Sequence, residues 1–573
     1  MHIARVRLHR FRGYAEQVIT PARHAVVVGE PRAGRSDLII GLRRALDPRN
    51  WSRTPDLSDL YRHGQEQEED AGDGETVVEV TLLGLGGDLE QDLDDRLELI
   101  DPATGLPATE EQAASGVLGV RVRYRIYFDE VLADYDHRWE YVATGAPVPR
   151  LERDMLAAVV IGPGTPLQLR SGGVFRSMVT EQDADAARAA ITELSDDVTA
   201  AAGKIAGVKS VQEVLNRILD EGAACVLGVP MPNPAARVGF VADDGSVDAL
   251  LRRLQPALAL DEAGPLPLPA HGSTAKGVLA VAEAMTAANM AGAVVLADDF
   301  GDDLDAASGE FLAAFLRRAG GQVWLSTRRP EVVRAFEPTE VLRLTRSHGE
   351  RRHHQLAATT DKKARLARRQ LHLLLLPAMT TRSVALLEGP HDLEGYGAVA
   401  ERRLTDSGTL PPAAYGVRMI AAGISGGGGK EQLPKLAGLA QELGFHVRVV
   451  IDNDKPGSDT KLLAALDGLA EQVIRLPQRT AVERALARGL PADAQRAALC
   501  AINDLYELGL NVDDIPDADL EESIVKQLKQ KNGLHQPFVA ALPDGAVPTV
   551  AAAVLDTLTQ PAGQQVLTEL QSS

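Results

Sequence analysis

Residues 25–36 read Ala-Val-Val-Val-Gly-Glu-Pro-Arg-Ala-Gly-Arg-Ser, and this stretch decides the fold of the N-terminal half. The first four residues are apolar, as expected for an internal strand of a sheet that is covered on both faces. The remainder matches the phosphate-loop pattern G-x-x-x-x-G-K-[ST] through Gly29, Gly34 and Ser36, with Arg35 in place of lysine. Glycines in such a loop let backbone N–H groups surround phosphate oxygens at the start of a helix. We therefore predict a strand, a nucleotide-binding loop and a helix over 37–46.

Arg35 is a departure with chemical consequences. Arginine keeps the positive charge but presents a wide planar fork, which can bind phosphate without fitting a pocket made for a compact ammonium. An ordinary strand-turn-helix corner would also begin in this way. The apolar strand before the loop and the helical spacing of apolar residues after it favour the phosphate loop.

A partner motif lies far downstream, where residues 292–299 read Gly-Ala-Val-Val-Leu-Ala-Asp-Asp. In phosphate-loop ATPases an apolar strand ends in a carboxylate that holds Mg²⁺, and the next carboxylate positions the attacking water. Asp298 and Asp299 stand at these positions, and Asp299 has a shorter arm than the usual glutamate. Another predicted strand, over 322–327, leads into Arg328.

In this order and spacing the pieces resemble the ATP-binding-cassette ATPases of the recombination and structural-maintenance (SMC) type. The resemblance implies a histidine where Arg328 stands and a signature stretch near 271–277, just ahead of a helix over 278–285. Arg35, Asp299 and Arg328 all depart from that pattern. We therefore expect an α/β, ABC/SMC-like ATPase domain that binds ATP weakly or hydrolyses it slowly.

A second set of motifs begins at residues 383–392, Ser-Val-Ala-Leu-Leu-Glu-Gly-Pro-His-Asp. The apolar run predicts a short strand that ends in Glu388. A Gly-Pro turn then separates Glu388 from Asp392, at the start of a predicted helix. This spacing places both carboxylates at one sheet edge.

Residues 446–451 predict another strand, which ends in Asp452-Asn453-Asp454. A strand over 419–423, a glycine-rich loop over 426–430 and a helix over 431–443 precede it. Carboxylates two residues apart on an extended chain point the same way, so Asp452 and Asp454 can bind one ion or two neighbouring ions. Oxygen-only ligands suit Mg²⁺ or Mn²⁺. Glu388 is then a candidate general base or second-metal ligand.

Strand-Glu-Gly-x-x-Asp, a glycine-rich turn and strand-Asp-x-Asp together resemble the Rossmann-like TOPRIM domain of topoisomerases, primases and certain nucleases. An interrupted ABC-type ATPase followed by TOPRIM is similar to the OLD (overcoming lysogenization defect) nuclease family, which includes the Gabija anti-phage nuclease subunit. The resemblance implies a two-metal DNA endonuclease or nickase, often acting in bacterial defence beside an effector protein. It also implies a further metal ligand at Glu483 and a late catalytic lysine, either Lys529 or Lys531.

The predicted domain order follows from these motifs. Residues 1–165 and 236–345 form the two parts of the ATPase domain, and 380–573 the TOPRIM domain. Residues 346–379 form the linker helix region, in which the basic helix covers 362–376. Alternating residues over 75–83 and 117–128 predict antiparallel strands, and residues 230–234 mark a boundary. Helices over 183–202 and 211–222 lie in an insert at 166–235, which serves either dimerisation, giving a dimer or dimer of dimers, or packing within its own domain.

Composition narrows the class of protein. Net charge is −20, so DNA would have to meet one local basic face. Two cysteines exclude a disulfide framework and indicate a reducing, cytoplasmic interior. The longest apolar runs are too short for a bilayer span of roughly 20 residues.

Two other function classes remain open at this point. A non-catalytic, nucleotide-sensing scaffold could bind DNA or an effector protein, although it has no reason to keep four clustered carboxylates. Primase-like polymerisation could use the same metal site, but the sequence has neither a zinc ribbon nor a basic template-binding domain.

Overall fold

The computed structural model describes residues 1–47, 54–61, 75–162, 166–169, 174–206, 208–218, 251, 254–259, 264–318, 321–347, 349–423, 429–455, 457, 459–561 and 567–571. The predicted boundary at 230–234 and the glycine-rich residues 424–428 lie outside these ranges. The described part is α/β, as predicted.

The first 161 residues contain an antiparallel sheet and the phosphate-loop strand. Their elements are β1 His2–Phe11, β2 Tyr14–Ile19, β3 Ala25–Gly29, α1 Arg35–Leu46, β4 Thr76–Leu83, α2 Gly87–Asp92, β5 Glu98–Asp101, β6 Leu106–Pro107, β7 Val117–Asp129, β8 Asp134–Tyr141, α3 Arg150–Met155 and β9 Val159–Ile161. The predicted strands β4 and β7 pair antiparallel, and β3 is buried along its whole length.

The second stretch contains the helical insert and the remaining strands of the front lobe. Its elements are α4 Val174–Gln182, α5 Ala184–Ala206, α6 Lys209–Ile218, β10 Ala257–Leu258, β11 Leu266–Pro267, α7 Ser273–Ala291, β12 Val295–Ala297, α8 Ala306–Arg318, β13 Val323–Ser326, α9 Pro330–Arg334, β14 Val341–Ser347, β15 Glu350–Gln355 and α10 Lys362–Leu375.

The phosphate-loop strand lies inside a six-stranded sheet with the order β15-β14-β3-β13-β12-β9. All neighbours pair parallel except β15, which is antiparallel to β14. Parallel strands buried on both faces need near-continuous apolar runs, which 25–28 and 293–297 supply. The front lobe therefore has the α/β arrangement predicted for an ABC/SMC-like ATPase, with the loop after β3 and Asp298 after β12.

Two predicted boundaries differ from the structure. The front sheet continues past residue 345, because β14 runs to Ser347 and β15 adds an edge strand up to Gln355. The helix predicted over 278–285 is longer than expected, because Gly272 caps a helix that begins at Ser273 and so includes most of the stretch near 271–277. The basic linker helix agrees with the prediction over 362–376, because α10 begins at Lys362 and ends at Leu375.

The rear lobe is a doubly wound sheet followed by a helical cap. Its elements are β16 Ser383–Leu387, α11 Pro390–Ser407, β17 Val417–Ala421, α12 Gly429–Glu442, β18 His446–Ile451, α13 Thr460–Leu466, β19 Gln472–Arg475, α14 Val482–Ala487, α15 Ala492–Tyr506, α16 Leu520–Gln530, α17 His535–Ala540, α18 Thr549–Thr559 and β20 Leu567–Glu569.

The rear sheet has the order β17-β16-β18-β19-β20, and all its strands are parallel. The chain leaves β16 to one side for β17 and then returns to the other side for β18. In open α/β sheets, ligands bind at the carboxyl ends of strands where the strand order reverses in this way. The turns after β16 and β18 are therefore the expected place for a site.

The two lobes share a core and a buried arginine. One continuous cluster of buried apolar residues includes Val26 of β3 as well as Leu386 of β16. Arg343 of β14 is fully buried, and its guanidinium donates to the backbone oxygens of Leu443 and Thr381 at 2.8 and 2.6 Å. It also lies 3.5 Å from the centroid of the Phe445 ring.

A search of the described residues for membrane-spanning helices found none of sufficient length and apolarity.

Candidate carboxylate and phosphate-loop sites

Glu388 and Asp392 stand at the carboxyl end of β16. Glu388 follows the last strand residue, and its Oε1 accepts a hydrogen bond from the backbone N–H of Asp452 at 2.8 Å. Asp392 lies in the first turn of α11, and its Oδ2 accepts from the N–H of Gly389 at 2.6 Å. The Gly-Pro turn thus folds the second carboxylate back toward the first, as the spacing predicts.

Asp452 and Asp454 follow β18 on the other side of the switch point. Asn453 between them is buried and forms a bridge to Thr480, which holds the segment extended. The side chain of Asp454 is 41% exposed and faces the cavity described below. Asp452 is more enclosed and lies within electrostatic range of Glu388 and Asp392.

Glu483 reaches the same place from the first turn of α14. Its charge acts on Asp392 and Asp452, so four carboxylates converge there. Its Oε2 is buried without a hydrogen-bond partner among the described residues, and the same is true of the Tyr396 hydroxyl within range of these carboxylates. The ion-pair partner of Glu483 Oε2 is the Lys529 ammonium at 4.0 Å. Buried polar atoms rarely lack a hydrogen bond, so this carboxylate oxygen indicates a cation-binding role.

Lys430 was not predicted as a site residue, yet its ammonium lies between the carboxylates. Nζ is 3.5 Å from Glu388 Oε1, 3.6 Å from Asp454 Oδ1 and 3.4 Å from Asp459 Oδ1. Asp459 is also new, with a side chain 3% exposed and an ion pair to Arg475 at 3.5 Å. The sequence signals were the lysine that closes the glycine-rich loop and an aspartate immediately before α13.

Burial dominates the electrostatics of the cluster. It raises the pKa of Asp392 to about 7, with Glu388 and Glu483 adding to the effect. Burial also raises the pKa of Glu388 and lifts that of Asp452 well above its usual range. Burial opposes the charged form of Lys430, but the surrounding carboxylates outweigh it and raise the lysine pKa.

These residues fit a divalent cation. The donors are carboxylate oxygens, which Mg²⁺ and Mn²⁺ prefer over imidazole or thiolate. Glu483 offers a buried oxygen that has no hydrogen-bond partner among the described residues, and the position of the Lys430 ammonium marks where positive charge is favourable. Glu388, Asp392, Asp452, Asp454 and Glu483 are the residues that would hold the ions.

A cavity of about 480 Å³ opens beside Asp454. Its lining includes cationic side chains, namely Lys455, Arg479, Arg484 and Lys529. Lys529 Nζ also lies 4.0 Å from Glu483 Oε2. Lys531, the alternative late lysine, is exposed at the residue after α16 and is not part of the cavity lining. The structure thus brings Lys529, and not Lys531, to the carboxylates.

In the front lobe the phosphate loop has the predicted shape. Gly29 and Gly34 have φ of 147° and 95°, a region that favours glycine, and Ser36 lies in the first turn of α1. A Cβ at Gly29 would lie 2.2 Å from the backbone oxygen of Leu344. Arg35, however, turns back, and its Nη1 donates to the Gly29 oxygen at 2.8 Å.

The three departures from the ATPase pattern lie together. Arg328 Nε is 3.9 Å from Asp299 Oδ1, and its guanidinium also pairs with Asp302. Burial lowers the pKa of Arg35, while Asp299 acts against this effect. Burial, and next the neighbouring Asp298, raises the pKa of Asp299. Asp298 itself accepts from the Ser326 hydroxyl at 2.5 Å.

Comparison with solved structures gives distant structural neighbours. One is an SMC head bound to the C-winged helix domain of ScpA, with 12% identity, a TM-score of 0.36 and coverage of 64% of this chain and 99% of that one. Another is an SMC head domain from Thermotoga maritima, with 10% identity, a TM-score of 0.29 and coverage of 62% and 100%. A third is an Smc head domain with an extended coiled coil bound to the C-terminal domain of ScpA derived from Pyrococcus furiosus, with 13% identity, a TM-score of 0.36 and coverage of 65% and 99%. No protein-family model and no curated protein matches the chain.

Proposed function

We propose that the rear lobe is a metal-dependent phosphodiester hydrolase of the TOPRIM kind that cuts DNA. The observation that carries this proposal is the convergence of Glu388, Asp392, Asp452 and Glu483 at the switch point of a parallel sheet. Burying several carboxylates together is unfavourable unless a cation compensates them. A structural role alone gives no reason for such an arrangement.

The carboxylates and the lysines have separate roles in the proposed reaction. A bound Mg²⁺ or Mn²⁺ would polarise the phosphodiester and lower the pKa of bound water. Asp452 and Asp454 hold their carboxylates on an extended segment that Asn453 fixes to the loop before α14. Burial raises the pKa of Glu388, so this carboxylate is a candidate acceptor for the proton of the attacking water as well as a candidate ion ligand. Lys430 and Lys529 are placed to offset negative charge on the phosphate.

The cation-lined cavity supports nucleic acid as the substrate. Four cationic side chains line it beside Asp454, although the chain as a whole carries a net charge of −20. Lysine and arginine bind backbone phosphates without regard to base sequence. A local basic rim beside an acidic centre is therefore the charge pattern that a DNA strand needs on an otherwise acidic protein.

The proposal extends to the whole chain as an OLD-family endonuclease or nickase acting in anti-phage defence. On this view the front lobe binds ATP and regulates cutting, the insert at 166–235 contributes to a dimer or dimer of dimers, and an effector protein joins the assembly. Support for a regulatory front lobe comes from Arg35, which turns onto its own loop, and from Asp299, which pairs with Arg328.

The deciding experiment is cleavage of supercoiled plasmid with Mg²⁺, Mn²⁺ or chelator, with and without ATP. Metal-dependent nicking or linearisation is expected for the natural protein and absent for Asp454→Ala. The matched control is Asp504→Ala, which removes an exposed aspartate on α15 and should cut normally. Undiminished cleavage by a folded Asp454→Ala variant would refute the proposal.

A scaffold is the second candidate function, and the internally paired charges of the front lobe favour it. Such a protein would bind nucleotide and DNA or an effector without turnover. It predicts no cleavage under any metal condition, together with DNA binding that responds to ATP. Gel-shift and plasmid assays on the same preparation separate the two functions, and nucleotide-incorporation assays would detect primase-like synthesis.

A further inference from the structure

Two histidines and a glutamate form a second group of candidate metal ligands, at the contact between α11 and α17. His391 and Glu394 lie three residues apart near the start of α11, so they share one face of the helix. His535 is the first residue of α17, which packs against that face. Their candidate ligand atoms all lie within 4.8 Å of one another.

His535 is the unusual member of the group. Its side chain is 0% exposed, and neither ring nitrogen has a hydrogen-bond partner among the described residues. Buried imidazoles normally donate from one nitrogen and accept at the other. Both nitrogens of this buried ring are therefore available to bind a ligand.

The neighbours are arranged to supply the rest of a coordination sphere. Glu394 Oε1 accepts from the N–H of Gln536 at 3.2 Å, which orients the carboxylate so that Oε2 lies 3.9 Å from His535 Nδ1. The His391 and His535 rings are stacked, with centroids 4.5 Å apart and an interplanar angle of 20°. Burial lowers the pKa of His535 to about 4, so the ring is neutral and keeps a lone pair at neutral pH.

From this geometry we propose that His391, Glu394 and His535 form a binding site for a transition-metal dication of the Zn²⁺ class. Two imidazoles and one carboxylate are the donor set of open zinc sites, in which water completes the tetrahedron. Zn–N and Zn–O bonds of roughly 2.0–2.2 Å place ligand atoms about 3.3 Å apart. Ligand atoms that lie as much as 4.8 Å apart therefore need to approach by up to about 1.5 Å, and the imidazole rings must turn so that their lone pairs converge on the ion.

The site differs in chemistry from the carboxylate cluster. The cluster offers only oxygen and suits Mg²⁺ or Mn²⁺, whereas imidazole nitrogen selects Zn²⁺ and its neighbours in the transition series. Metal bound here would join α11 to α17 and fix the turn of α11 that carries Asp392. The two sites use separate ligands, so loss of DNA cleavage in a variant such as Asp454→Ala would not by itself remove Zn²⁺ binding.

The test uses the full-length protein after treatment with chelator. Co²⁺, added in the presence of excess Mg²⁺, is expected to give the intense visible absorption of a four- or five-coordinate nitrogen-containing site. One equivalent of Zn²⁺ should remove that absorption. His391→Asn and Glu394→Gln should each weaken Zn²⁺ binding by about 100-fold. Glu401→Gln, an exposed glutamate on the same helix, is the matched control and should bind normally.

Two further variants keep the result decisive. His535→Phe preserves the ring stack, so a folded variant that no longer binds Zn²⁺ separates ligation from packing; circular dichroism checks its fold. Asp454→Ala should leave Zn²⁺ binding intact. The proposal is overturned if no Zn²⁺ binds, if His391→Asn binds it as well as the natural protein does, or if Asp454→Ala abolishes the absorption.

Discussion

The phosphate loop of the front lobe and the carboxylate cluster of the rear lobe occupy the same position in their sheets, at the carboxyl ends of parallel strands, but they satisfy their charges differently. In the front lobe Arg35 donates to its own loop and Arg328 pairs with Asp299. In the rear lobe buried carboxylates outnumber the ammonium of Lys430, and the buried Oε2 of Glu483 has no hydrogen-bond partner among the described residues.

The difference indicates which site depends on a ligand. A charge-paired site is stable as it stands, and a ligand must break internal ion pairs in order to enter. A site with excess buried negative charge is stabilised when a cation enters. We therefore expect catalysis in the rear lobe and regulation by the front lobe.

The largest expected effect is on cleavage. Asp452→Asn should lower the nicking rate about 1000-fold, because loss of metal stabilisation is worth several kcal/mol and each 1.36 kcal/mol is tenfold. The equivalent front-lobe change, Asp298→Asn, should leave the rate without ATP within about threefold. Initial rates at saturating Mg²⁺ measure both. Equal losses in two folded variants would mean that the lobes form one active site.

The affinity of the rear-lobe carboxylates for metal should change less than the cleavage rate does. Lys430→Met removes an ammonium that competes with the cation among Glu388, Asp454 and Asp459, so Mn²⁺ should bind about tenfold more tightly. Lys435→Met, an exposed lysine on the same helix, is the control. Calorimetric titration gives both constants. Weaker Mn²⁺ binding by Lys430→Met would show that the lysine organises the carboxylates instead of competing.

In the front lobe, restoration of the usual lysine should help nucleotide binding modestly. Arg35→Lys frees the Gly29 oxygen and supplies a compact ammonium, so ATP affinity should rise about threefold to tenfold. Arg32→Lys, at an exposed position of the same loop, should have no such effect. Fluorescent-nucleotide titration measures this change. An unchanged affinity would indicate that Asp299 and Arg328, and not Arg35, weaken ATP binding.

The smallest expected effect is on stability. The folded-state pKa of Asp392 is raised from 3.8 to about 7, so its stabilising contribution is complete below about pH 4 and is lost as pH rises through 7. In chelator, Tm should therefore fall by about 2 °C between about pH 6 and pH 8. Mg²⁺ should reverse the fall, and Asp392→Asn should reduce the pH dependence. A Tm that rises with pH over this range in chelator would contradict the predicted direction of the change.

The strands that carry the site were predictable because their signals are local. The strands over 383–387 and 446–451 have the predicted bounds, since each is rich in β-branched or other apolar residues and is followed directly by a carboxylate. The edge strand β15 was missed because Glu350–Gln355 has no apolar alternation. The start of α7 was misplaced because Ser273 and Thr274 suit a helix start as well as a loop.

Side-chain groupings across the fold were not predictable in this way. Lys430 joins the carboxylates only because α12 begins beside the switch point, and no local pattern encodes that placement. His535 meets His391 and Glu394 through the packing of α17 on α11, and the two segments lie far apart in the chain. Pairings of this kind depend on tertiary packing, which a single sequence does not reveal.

The buried Arg343 has a consequence for how the protein unfolds and how it can be divided. Its guanidinium donates to the backbone oxygens of Thr381, just before β16, and Leu443, just before β18. The two lobes also share one continuous apolar core. A cut through the linker would leave that guanidinium without acceptors and expose the apolar core. The lobes should therefore melt in one calorimetric transition, and neither should fold well when expressed alone.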